Sequence, residues 1–227
     1  MTGRIPPPAG TAGPDSGRHP GWPARIGPLR TPGGEVALRP PRLRDAAAWS
    51  SARLRDRVYL QRWEPSSSPS SWQERNSAAS WPGHWNALRA LGRRGTALPF
   101  TITVDGEFAG QLTVGNVVRG ALRSAWVGYW LMERLAGAGA ATAAVALVVD
   151  HCFTRVGLHR LEATVRPENA ASLRVLEKVG FRHEGLFERY LDVAGAWRDH
   201  YVCALTVEDV PGGAVAALER AGRATRT

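Results

Sequence analysis

The chain has 227 residues, 44% of them hydrophobic, with two Cys and a formal charge of +9, a length that supports one well-filled domain because the buried fraction of surface rises with chain size. Cys152 and Cys203 stand alone, without framework or metal-ligand spacing, which excludes a disulfide scaffold and a zinc module and leaves two small buried side chains. The longest uncharged apolar-rich run, residues 135–149, is shorter than the roughly 20 residues a bilayer span takes, and GRIPPPAG at residues 3–10 lacks a signal-peptide core, so a cytoplasmic protein with no membrane partner is expected.

Residues 1–34 hold eight Pro and eight Gly with few large apolar side chains, too little to offset the entropy of ordering, so a disordered N-terminal tail is expected. One domain is expected over residues 35–208, with a C-terminal tail at 209–227. Four Arg against Asp15 put +3 on the first tail, and residues 207–227 balance, which leaves +6 on the body of the chain. That balance suits a polyphosphate ligand or a ribosomal partner. Every basic residue but Lys178 is Arg, however, a bias that needs no ligand to explain it.

A short strand is expected from Glu35 (EVALRP), then a helix over residues 42–57, where Leu43, Ala47 and Leu54 recur at helical spacing. A Ser/Pro loop, EPSSSPSS at 64–71, leads into helical pieces interrupted by Pro82. This region carries Trp49, Trp63, Trp72, Trp81 and Trp85, which read either as packing between short helices or as an aromatic-walled cleft. From Leu98 the period becomes strand-like. FTITV, Asp105-Gly106 and EFAGQLTV form a hairpin, since Asp-Gly supplies the positive backbone angles of a primed turn. A turn at 119–123 and a third strand, SAWVGYWL, complete an antiparallel meander. A helix (137–155), a strand (160–165), a helix (169–179), a strand from Phe181 to about Leu191 and a last strand through WRDHYVCALTV follow. Antiparallel strands followed by alternating elements specify an α/β (α+β) fold on a mixed sheet.

Between the third strand and the next helix stands LAGAGAAT, residues 135–142, with almost no side chain larger than a methyl. Bare amides at a helix start favour an anionic, phosphate-bearing ligand. The competing reading is a small-residue helix face packed closely on the sheet. A dinucleotide-binding turn is excluded: its first Gly belongs at the end of the strand and a third Gly is required, whereas MERLA separates Leu131 from Gly137 and Ala140 to Thr142 follow Gly139.

GYWLMERLAGAGAAT, then GLHRLEATVRPENAASLRVLEKVGFRHEGL and AWRDHYVCAL, resemble the GCN5-related N-acetyltransferase (GNAT) superfamily, and within it the RimJ/RimL group that acetylates protein N-termini. The resemblance spans roughly residues 35–208, and PENAASLRVLEKVGF is its most specific block. It implies a GNAT fold, a mixed central sheet of six to seven strands flanked by about four helices. It further implies acetyl-CoA as co-substrate, without a metal. The pyrophosphate is expected on the amides of Gly137, Ala138, Gly139, Ala140, Ala141 and Thr142, and the pantetheine arm along Leu131 and Met132. Asn169, an N-cap by its own chemistry, is implied as a cofactor contact. Two positions depart from the superfamily pattern: Ala136 where Gln or Arg is frequent, and Leu176 where many members carry an acidic Tyr.

The chemistry needs a deprotonated amine, an oxyanion donor and a proton for sulfur. Ser172 is the expected acid in the RimJ/RimL manner, against its plainer reading as a first-turn serine. Glu162 is the candidate base, against a structural carboxylate paired with Arg160 or Arg174; the stretch RYLDVAGAW lacks the Glu that relatives place there. His151, His159, His183 and His200 have no ligand spacing, and no metal site is expected. The expected activity is transfer of acetyl to a primary amine by direct attack in a ternary complex. The acceptor implied is the N-terminal Ala, Ser or Thr of a ribosomal protein, with ribosome association, no specific nucleic acid, and a monomer or homodimer. The alternatives are a small-molecule amine (amino acid, polyamine or antibiotic) as acceptor, or a non-catalytic CoA-binding or ribosome-associated protein.

Overall fold

The computed structural model describes residues 21–66 and 70–227 of the chain. Two short strands come first, β1 (Ile26–Thr31) and β2 (Gly34–Arg39), then four helices: α1 (Ala46–Arg55), α2 (Arg57–Gln61), α3 (Trp72–Arg75) and α4 (Trp81–Arg94). Three longer strands follow, β3 (Ala97–Val104), β4 (Glu107–Val118) and β5 (Ser124–Leu131). The second half alternates α5 (Ala140–His151), which runs on into one π turn at Cys152–Val156, with β6 (Arg160–Val165), α6 (Ala170–Val179), β7 (Arg182–Val193) and β8 (Ala196–Thr206). A short helix α7 (Ala214–Arg220) and a two-residue strand β9 (Thr225–Arg226) end it.

The strands form one nine-stranded sheet in the order β7-β8-β6-β5-β4-β3-β2-β1-β9. The β3–β4 hairpin turns on Asp105 (φ 49°) and Gly106 (φ 82°), both positive as a primed two-residue turn requires. Among the described residues only β5 and β6 run parallel. Parallel neighbours need a crossover, and α5 supplies it as an almost wholly buried helix. Strand alternation assigns the two faces. On β4, Leu112 enters the main core with α5, α6 and α7, whereas Gln111 points to the α1 side and accepts the indole N–H of Trp49 at 3.0 Å. A second, smaller core on that face joins Trp49, Ala52, Trp81, Phe108 and Met132.

The fold class is as expected, but among the described residues the sheet has nine strands rather than six or seven, and the helices are seven rather than about four. Both additions to the sheet come from segments expected to be tails. β1 lies within residues 1–34, yet its backbone is satisfied by β2 and its Leu29 is fully buried; composition reports the Pro and Gly but not the strand waiting beside them. The first 20 residues of that expected tail lie outside the described residues. At the other end, Ala214, Val215 and Leu218 of α7 are buried in the main core, and the Asp150 carboxylate accepts the amides of Ala214 (2.6 Å) and Val215 (3.2 Å). Pro82 starts α4 rather than interrupting a helix, since the first turn has no use for its missing N–H. Of the Ser/Pro loop, residues 67–69 lie outside the described residues.

Candidate active site

β5 and β6 pair only at Ser124–Arg160, Ala125–Leu161 and Trp126–Glu162. Beyond Trp126, β5 stays with β4 up to Leu131, while β6 continues against β8 up to Val165. The sheet therefore forks. The Met132 amide donates to Ala109 on β4 at 2.9 Å, so by antiparallel alternation the backbone groups of Val127, Tyr129 and Leu131 face the fork. The Met132 amide is used inside the sheet, its carbonyl accepts from Leu135, and its side chain belongs to the second core.

Gly137 (φ 83°) and Gly139 (φ 91°) both adopt left-handed backbone, and Gly139 is the N-cap of α5 without any side-chain cap. A Cβ built on Gly137 meets nothing within 4 Å, so that glycine looks into open space. Ala140 and Thr142 bury their side chains, which leaves backbone amides as what this turn can offer. Uncapped donors, the helix dipole and an open approach fit a pyrophosphate. The expected helix start at 137 moves to Ala140, because Gly137 and Gly139 take left-handed backbone that a helix cannot contain.

Asn169 caps α6, its side-chain oxygen accepting from the Ser172 amide at 3.1 Å. Ser172 in turn meets a partner absent from the sequence reading. Its Oγ lies 2.9 Å from the Tyr129 hydroxyl, so a strand residue facing the fork and the first turn of α6 are joined by a hydrogen bond. Burial pushes the Tyr129 phenol well above its ordinary range, against the opposing hydrogen bond to Ser172. The phenol stays protonated at every physiological pH. Leu176, at the position where an acidic Tyr is frequent, is fully buried in the main core one turn further on.

Glu162 goes elsewhere. It shares the outer face of β6 with Arg160 and Thr164, opposite the buried Leu161, Ala163 and Val165, and hence opposite the face on which Tyr129 meets Ser172. Its carboxylate accepts from Arg160 Nε at 2.7 Å. Arg160 also bridges to Glu184, which Arg182 joins to Asp209. The structure does not bring Glu162 and Ser172 together, and the paired-carboxylate reading is the one realised.

Three of the five Trp of this region pack in the core. Trp49, Trp72 and Trp81 are buried, and their indole N–H groups go to Gln111, the Arg53 carbonyl and the Arg42 carbonyl. Arg53 lies between the rings of Trp72 (4.7 Å) and Trp130 (5.2 Å), bonds Asn76 and Glu64, and is held below its ordinary pKa by burial. Trp130, on the α1 side of β5, shares the Gln111 oxygen at 3.2 Å. Trp126 on that face is 45% exposed and lies over Gly115, where a Cβ would come within 2.3 Å of its ring.

A family model described as acetyltransferase (GNAT) domain matches residues 35–182. The chain belongs to this family and is an acetyl-CoA-dependent N-acetyltransferase. Among solved structures it is similar to Mycobacterium smegmatis RimJ in complex with CoA-disulfide, at 57% identity and TM-score 0.90, covering 92% of this chain and 100% of that one. It is 29% identical to the ribosomal protein uS5-alanine N-acetyltransferase of Escherichia coli over 74% of this chain and 87% of that protein. It is also 43% identical to the probable N-acetyltransferase YjcK of Bacillus subtilis over 46% of this chain, a match that spans 58% of that protein's length. Among the described residues, no helix is long and apolar enough to cross a membrane, and no group of three metal-ligating side chains occurs.

Proposed function

We propose that the chain acetylates the N-terminal α-amine of a ribosomal protein, an Ala, Ser or Thr, by direct attack in a ternary complex at the β5–β6 fork. The fork ending in an uncapped, small-residue helix start carries the reading. The similarity to the ribosomal protein uS5-alanine N-acetyltransferase and to RimJ supports the acceptor class, and Trp126 at the fork is 45% exposed.

In this reading the amides of residues 137–142 hold the pyrophosphate, Leu131 offers its backbone to the pantetheine arm, and Asn169 holds the start of α6 against the same ligand. Bound acetyl-CoA supplies an activated carbonyl and a thiolate leaving group. Ser172 Oγ holds the proton destined for sulfur, and Tyr129 orients that hydroxyl. No dedicated base is assigned: an α-amine has a pKa of about 7.7–8.0, so much of it is already neutral at working pH, and Glu162 is engaged by Arg160. Mass spectrometry of ribosomal proteins from cells with and without this chain tests the acceptor. One N-terminus should lose 42 Da, about the mass of an acetyl group in place of hydrogen, in cells lacking it; unchanged N-termini throughout would remove the ribosomal assignment.

A further inference from the structure

The cradle is held by a segment that precedes the matched family region of residues 35–182. In the turn between β1 and β2, the Gly33 amide donates to the Ala138 carbonyl at 3.0 Å and also lies 3.2 Å from Thr31 Oγ1, which itself donates to the Gly34 carbonyl at 3.0 Å. The approach is as close as a glycine allows: a Cβ on Gly33 would stand 2.7 Å from the Ala138 Cβ and 2.9 Å from its carbonyl oxygen. Thr31 is 7% exposed and supports the next residue, its Cβ lying 3.5 Å from where a Cβ of Gly139 would be. At the other end of the loop, the Glu133 amide donates to the buried Asp56 carboxylate at 3.0 Å. The open Gly137 lies between these two clamps.

Two left-handed glycines flanking Ala138 make a soft support for a row of donors, and donors act on charge in proportion to how well they are aimed beforehand. We propose that residues 31–34 form a positioning element for acetyl-CoA, with Gly33 fixing the Ala138 carbonyl so that the amides of residues 139–142 point at the pyrophosphate. The inference rests on assigning that loop to the cofactor. It gives β1 a role in cofactor binding from the far side of the sheet from the fork.

Calorimetric titration of the full chain with free CoA tests it, together with hydrogen exchange at residues 139–142 in the ligand-free protein and steady-state kinetics. Gly33→Val is expected to weaken CoA binding about tenfold and to raise KM for acetyl-CoA alike, with kcat and the acceptor KM within about twofold. Exchange at residues 139–142 should quicken before any ligand is added. Thr31→Val keeps the side-chain shape, loses the hydroxyl and should act in the same direction by about threefold; it carries the test if Gly33→Val does not fold. Unchanged CoA affinity and exchange in the folded variants would overturn the proposal, as would a loss of kcat at unchanged CoA affinity. Failure of the wild-type chain to bind CoA would overturn the cradle assignment and this inference with it.

Discussion

Ser172 and Tyr129 show how a weakly distinctive residue acquires chemistry from a neighbour. A serine in the first turn of a helix is ordinary; one whose hydroxyl is 2.9 Å from a partly buried phenol has a hydrogen-bond partner that orients it. Ser172→Ala is expected to lower kcat about 100-fold while KM for acetyl-CoA moves by less than about threefold. Initial-rate measurements decide this, and full kcat in the variant would remove Ser172 from proton donation. Glu162 is the contrasting case. Its ion pair with Arg160 on a half-exposed face makes Glu162→Gln a change of about 1 kcal/mol or less in stability, with kcat retained.

The loop between β5 and α5 owes its shape to contacts at its ends. Gly139 has room for a side chain, with ordinary contact at 3.5 Å to Thr31, but its φ of 91° strains any L residue. Gly139→Glu adds a carboxylate to an anion cradle, and should abolish CoA binding while circular dichroism reports a folded protein that has lost about 1–2 kcal/mol. Retained binding would contradict the cradle. Asp56 fixes the other end of the loop. Burial alone would raise its pKa, but hydrogen bonds from Arg55 and the Glu133 amide outweigh that and hold it below the ordinary value. A depressed folded pKa means that the unfolded chain takes up the proton first. The stability lent by Asp56 is thus complete above its ordinary pKa and is lost as pH falls through the folded value. Asp56→Asn should cost about 1–3 kcal/mol at neutral pH and flatten the fall of Tm with acid below about pH 4. A variant whose Tm falls as steeply as the wild type would exclude Asp56 as the source of that dependence.

Across the molecule, the nine-stranded sheet gathers segments far apart in sequence: β9 pairs with β1, and α7 packs beside α5 through Asp150. Deleting residues 210–227 uncovers the surface that Ala214, Val215 and Leu218 bury, about 3–6 kcal/mol of burial by the usual values for such side chains. Calorimetry of the truncated chain is therefore expected to show a Tm lower by about 10 °C or more. An unchanged Tm would mean that α7 is a passive appendage.

Local signals in the chain were sufficient for the β3–β4 hairpin, the strand at 160–165, the Asn169 cap and the small-residue helix start, because turn angles, alternation and capping depend on residues a few positions apart. They also carried the resemblance to the GNAT family that residues 35–182 bear out. They could not reveal the Tyr129–Ser172 bond, the Asp56–Glu133 contact or the pairing of β1, each of which joins elements apart in sequence; the pairing of Glu162 with Arg160, two residues away on the same strand face, was among the readings the sequence offered. Gly33 shows why: in the sequence it is one more glycine of a Pro/Gly-rich stretch, and only the fold, by laying that turn against Ala138, turns the missing Cβ into a close backbone contact with the loop before α5.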